Sequence, residues 1–192
     1  MSKINLPDEF VIFDMEWTAW EGSREREWSG PREQREIYDI GAVLARRNQA
    51  GEFVVMNTFR QLVTLELTDA LPEYSVKLTG ITQAEIDEKG VSLAEMVRAF
   101  RTFAGERTIY AWGSDGDVLA ENCEMKQVPN PFSAAQFRDL REVFKVCGIP
   151  AEDYMSSTIV EYFGEKNKHT AHQGLDDALN QVEALNLLVA RP

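Results

Sequence analysis

The stretch FVIFDMEW, residues 10–17, decides the fold. Phe10 to Phe13 form an apolar run of strand length, and a short continuous run of this kind reads as a strand buried on both faces. Asp14 and Glu16 close it. Residues two apart on a strand share a face, so the two carboxylates point the same way. Phe13, Met15 and Trp17 flank them and argue against two acids on an exposed strand. Two like charges at the end of a buried strand are costly unless a cation or a proton offsets them. Ligands that are oxygen only suit Mg²⁺ or Mn²⁺. Taken alone, D-x-E is a weak signal.

Further along, REIYDIGAVLARR (35–47) and GEFVVMNTFRQLV (51–63) are two more β-rich stretches joined by the turn NQAG (48–51). Three antiparallel strands result. Helices then take over. TQAE (82–85) and SLAE (92–95) fit the capping box, and MVRAFRTFA (96–104) carries apolar residues at helical spacing up to Gly105. TIYAW (108–112) is a fourth strand before a helix from about Asp115 to Lys126. AQFRDL (135–140) supplies a fifth strand, with helices expected at Arg141–Val146 and Ala151–Tyr162. Leu175, Ala178, Leu179, Val182, Leu185 and Leu188 stripe a last helix. The expected class is α/β: a mixed central sheet, three antiparallel strands and then parallel ones, flanked by helices.

The 192 residues suit a single domain, 1–192, with 44% hydrophobic and 27% charged side chains, ordinary for a globular protein. No apolar run approaches a membrane span, and the first residues lack a signal-peptide core. Cys123 and Cys147 match no metal-ligand spacing and read as reduced thiols, so a cytoplasmic location is expected. The formal charge of −12 argues against loose electrostatic binding to nucleic acid. It leaves room for a nucleic-acid enzyme whose acids hold metal ions, because the ions reverse the local sign.

Two further stretches carry candidate chemistry. In YAWGSDGDVLAEN (110–122), a strand delivers Asp115 to the beginning of a helix, with Asp117 as competitor. Helix capping explains this stretch equally well, since Ser114 or Asp115 is a good N-cap and acids favour a first turn. In HQGLDDALN (172–180), a histidine precedes two acids at the start of the last helix. His172 can act as a general base near neutral pH. The alternative is a surface histidine beside acids that complement the helix dipole. His169, in KNKHTAH, reads as a polar loop residue.

The order of these pieces resembles the DEDDh 3′–5′ exonucleases over about residues 10–188. DMEWT, EIYDIGAVL, LTGITQ, FRDLR and HQGLDDALN resemble one branch of that superfamily. It contains the histone-mRNA and small-RNA 3′ exonucleases and the bacterial KinA-pathway inhibitor type. The resemblance implies an RNase H-like fold and hydrolysis of single-stranded RNA or DNA from the 3′ end, with RNA favoured, to 5′-mononucleotides. Two Mg²⁺ ions, for which Mn²⁺ can substitute, would clamp the scissile phosphate roughly 3.5–4 Å apart. Asp14 and Glu16 match the first motif. The family spaces its histidine five residues before the metal-binding aspartate, which selects Asp177 over Asp176. Asp115 is the middle acid by its apolar pair Val118 and Leu119. The branch pattern WGxxD would instead place that acid at Gly116, so Asp117 stays in reserve. Asp14 would touch both ions, Glu16 and Asp177 one, and Asp115 the other, while His172 takes the proton from the attacking water.

TAWEGSREREWSGPREQRE (18–36) alternates arginine and glutamate and carries Trp20 and Trp28. It reads either as a flap whose tryptophan stacks on a base and whose arginines meet phosphates, or as a solvated hairpin whose charges pair with each other. Trp17 and Thr18, directly after the acids, are the expected substrate contacts. Two rival functions remain: a phosphodiesterase acting on dinucleotides or short oligonucleotides, and an inactive nucleic-acid binding module.

Overall fold

The computed structural model describes residues 4–191; residues 1–3 and 192, the ends of the expected domain, lie outside them. Its five strands are β1 (Glu9–Trp17), β2 (Ile37–Arg47), β3 (Phe53–Leu62), β4 (Ile109–Ala111) and β5 (Phe137–Asp139). The helices are α1 (Glu73–Thr79), α2 (Gln83–Lys89), α3 (Leu93–Ala104), α4 (Asp115–Met125), α5 (Arg141–Val146) and α6 (Gly174–Val189). The sheet order is β3-β2-β1-β4-β5. β1, β2 and β3 pair antiparallel, whereas β1–β4 and β4–β5 pair parallel, as the sequence predicts.

β1 is the central strand and is buried on both sides. Its alternation sorts side chains between two cores. Phe10 and Ile12 pack with Leu140, Phe144, Val182 and Leu185, on the side of α5 and α6. Val11, Phe13 and Met15 pack with Met96, Phe100, Val118 and Leu119, on the side of α3 and α4. By the same period, Asp14 and Glu16 continue the face that Phe10 and Ile12 turn towards α6. Both expected capping boxes form, at Thr82 with Glu85 and at Ser92 with Glu95. Gly105, at φ +59°, closes α3.

One expectation is corrected and one element is added. Residues 151–162 do not form one helix; they form two short 3-10 turns, Ala151–Asp153 and Ile159–Phe163. The Thr158 hydroxyl accepts from the Met155 N–H at 2.9 Å, a local bond that competes with helix propagation. α1 was not anticipated, because its buried residues are Ser75 and Thr79 rather than an apolar stripe.

The insert after β1 is a succession of turns rather than a paired hairpin. A buried ion pair fixes its far end: Glu36 lies 2.8 Å from the Lys126 ammonium, both side chains almost fully enclosed. The Glu36 carboxylate also accepts from the backbone N–H groups of Glu66, Leu67 and Thr68. Burial pushes the Glu36 carboxyl up, but these donors and Lys126 outweigh it and hold the group below the usual range. Among the described residues no helix is long and apolar enough to cross a membrane.

Candidate active site

The carboxyl ends of the parallel strands β1 and β4 lie side by side, the place where α/β sheets characteristically form clefts. A cavity of about 770 Å³ opens there. Asp14 and Glu16 reach it from the end of β1, Asp115 from the first residue of α4, Asp177 from the first turn of α6, and His172 from the loop ahead of α6. Asp117 is exposed and does not line the cavity. Asp176 points elsewhere, its carboxylate accepting from the Thr170 N–H at 3.2 Å.

Two glycines let α6 approach this closely. A Cβ on Gly174 would lie 2.6 Å from both the Asp14 carbonyl oxygen and the Gly41 nitrogen, and one on Gly41 would overlap the Leu175 backbone. The Gly174 N–H, an unpaired donor of the helix start, donates to Asp39 Oδ2 at 3.0 Å. Asp39 in turn is held by Arg60 at 3.2 Å. His172 stands just outside the helix at φ +61°, and its N–H donates to Asp177 Oδ2 at 3.1 Å. One turn along α6, the Gln181 amide donates to Asp14 Oδ1 at 3.4 Å.

The electrostatics are those of acids crowded together without an ion-pair partner among the described residues; the Arg141 guanidinium, itself paired with Asp139, offsets the rise at Asp115 only in part. Burial, then repulsion from Asp115, Asp177 and Glu16, pushes the Asp14 carboxyl well above the carboxylate range. Burial, then Asp177, Asp39 and Asp115, does the same for Glu16. Asp115 and Asp177 are each pushed up to about 7, chiefly by burial. Burial also lowers the His172 imidazole, which favours its neutral form. Among the described residues no lysine or arginine pairs with any of the four acids, and Asp177 Oδ1 is buried with no hydrogen-bond partner. Ligand atoms of Glu16, His172 and Asp177 lie within 4.8 Å of one another. Hard oxygen donors, an orphaned carboxylate oxygen and missing positive charge together fit a divalent cation.

Trp17 lines the cavity, packed edge to face against Trp28 at 6.2 Å. Thr18 is corrected as a substrate contact: its side chain is fully buried. The hydroxyl donates to the Gln34 carbonyl at 2.6 Å and accepts from the Glu36 N–H at 3.1 Å, which ties the two ends of the insert together. The insert's charges partly pair, Arg26 with Glu33 and Arg35 with Glu121, while Arg35 also lies over the Trp28 ring at 5.8 Å. Gln181, Asp39, Gly41 and Gly174 escaped the sequence reading. The polar pair Asn180–Gln181, interrupting the apolar stripe of the last helix, is the signal that marks the first of them.

The sequence profile of the exonuclease family RNase T matches residues 11–185, and the chain belongs to that family. Mouse 3′-5′ exoribonuclease 1 is 25% identical over 184 residues, covering 90% of this chain and 50% of that protein. Human ERI1 exoribonuclease 2 is 26% identical over 200 residues, covering 91% of this chain and 27% of that protein. This chain therefore spans half or less of the length of these relatives. Among solved structures, the nuclease domain of 3′hExo, a DEDDh family member bound to rAMP, superposes with a TM-score of 0.79 at 22% identity. That match covers 96% of this chain and 93% of the other, and the RNase H-like exonuclease fold is shared.

Proposed function

We propose that the protein is a metal-dependent 3′–5′ exonuclease that releases 5′-mononucleotides from single-stranded nucleic acid, RNA in preference to DNA. The observation that carries this reading is the convergence of Asp14, Glu16, Asp115, Asp177 and His172 in one cavity, with none of the four acids in an ion pair among the described residues. Asp14, Glu16, Asp115 and Asp177 would hold two Mg²⁺ ions, or Mn²⁺, which when bound polarise the phosphate and acidify the attacking water. His172, kept neutral by burial, accepts a proton from that water on an imidazole nitrogen. The water oxygen bonds to phosphorus, the bond from phosphorus to the 3′ oxygen breaks, and that oxygen takes a proton from solvent water to become the new 3′ hydroxyl. Gln181 holds the Asp14 carboxylate in register, and the His172 N–H does the same for Asp177. Trp17 offers a stacking face for the terminal base.

The exoribonuclease names of the relatives support RNA as the preferred strand. A cytoplasmic location is proposed on the two cysteines being read as reduced thiols, no disulfide joining them. Digestion of 3′-labelled RNA and DNA of one sequence tests the activity. Labelled 5′-mononucleotide should appear from both in Mg²⁺, faster from RNA, and from neither in excess chelator. Internal cleavage, or undiminished release in chelator, contradicts the proposal.

A further inference from the structure

We infer that the cavity is built for oligonucleotides a few residues long, gripped through their bases, rather than for the end of a long strand. The inference rests on the exonuclease reading and adds the substrate length to it.

Affinity for a long single strand comes from cations along its backbone, each phosphate contact adding roughly 0.7 to the salt slope. Three arginines line the cavity, Arg24, Arg35 and Arg141. Arg35 lies 2.5 Å from Glu121, and Arg141 lies 2.6 Å from Asp139, which also accepts from its Nε. Only Arg24 among the three lacks a carboxylate partner; its Nη1 sits 3.9 Å from the Met155 sulfur. Glu21, Glu25 and Glu152 line the same cavity outside the four acids that fit metal ions. The neighbouring cations are also committed. Lys145 meets Glu142 at 2.9 Å and Glu152 at 2.5 Å, and Lys77 meets Glu73 at 2.7 Å. With a formal charge of −12, the molecule repels a long polyanion.

The cavity offers aromatic and apolar faces instead. Trp17 lines it from the end of β1, Trp20 from the chain just after, and Trp112 from the residue that follows β4. Tyr74 and Leu78 of α1 and Met155 also line it; they are 39%, 36% and 44% exposed, with the Arg24 guanidinium against the Met155 sulfur. Base stacking on such faces tolerates any sequence and is insensitive to salt compared with phosphate contacts. The space is an open cleft, and its volume of about 770 Å³ lies in the range of small-ligand sites.

The test is release of UMP from unlabelled oligouridylates of about two to about twenty nucleotides, at fixed Mg²⁺ and varied KCl. From about three to about twenty nucleotides, kcat/KM should stay level or fall, with a shallow salt slope. Trp20→Ala should raise KM about tenfold at every length, and Trp20→Phe should restore it. A rise in kcat/KM of about tenfold or more with length, with a salt slope that steepens in parallel, overturns the inference while leaving the exonuclease reading intact. Absence of UMP at every length overturns both.

Discussion

His172 combines three properties that no single residue type supplies by itself. Its backbone is left-handed at φ +61°, its N–H donates to Asp177 Oδ2, and its imidazole is driven towards the neutral form by burial. A non-glycine residue in that backbone region is uncommon and is found where the surroundings enforce it. His172→Ala should lower kcat by about 10²–10⁴-fold while Mn²⁺ affinity by calorimetry stays close to that of the parent. Undiminished turnover would remove the general-base role. The choice of Asp177 over Asp176 is legible in the sequence only through the family's spacing. The physical reason appears in the fold, where Asp176 is spent on the Thr170 N–H and Asp177 turns inwards. Thr18 was misread because a pattern such as D-x-E-x-T does not reveal that the Gln34 carbonyl and Glu36 N–H claim the hydroxyl.

Among the elements, α6 brings the most to the site, and its placement depends on atoms that are missing. Gly41 and Gly174 leave room for the helix start to rest against β1 and β2, and Asp39 satisfies one of its free N–H groups. Gly174→Ala sets a methyl group 2.6 Å from the Asp14 carbonyl, where backbone rather than a flexible side chain must yield. It should cost about 1–3 kcal/mol in urea unfolding and lower activity disproportionately, because α6 also positions His172 and Asp177. Full activity in a destabilised Gly174→Ala protein would show that this docking distance does not govern the site. Strands and capping boxes were legible because their signals are local. The close approach of α6 to β1 was not, since it joins residues far apart in the chain. The segment 151–162 went astray because its hydroxyl-to-backbone bonds are invisible to hydrophobic periodicity.

Across the whole molecule, the crowded acids link stability to pH and to metal. Asp115 and Asp177 ionise near 3.8 when unfolded and near 7 in the metal-free fold. Between those values the folded chain holds protons that the unfolded chain has lost, so these groups make stability fall as pH rises. Asp115→Asn removes one of them. Its metal-free Tm should exceed that of the parent near pH 8 and converge with it near pH 4. Mg²⁺ should raise the Tm of the parent at pH 8 and have a smaller effect on the variant. A metal-free variant less stable than the parent near pH 8 would contradict the repulsion. The α/β layers and the mixed sheet were readable from strand order and composition. The net charge alone pointed away from nucleic acid, and what resolves the conflict is where four of the acids lie: in one cavity, none of them in an ion pair among the described residues, suited to metal ions.

The most direct test of the central claim compares the parent with Asp14→Asn on 3′-labelled single-stranded RNA in Mg²⁺. Asp14 is the central-strand acid, and asparagine preserves its size while removing the charge that would hold an ion. The account predicts steady release of labelled 5′-mononucleotide by the parent and its loss in Asp14→Asn, with the variant still folded by circular dichroism. Equal release by both proteins would contradict it.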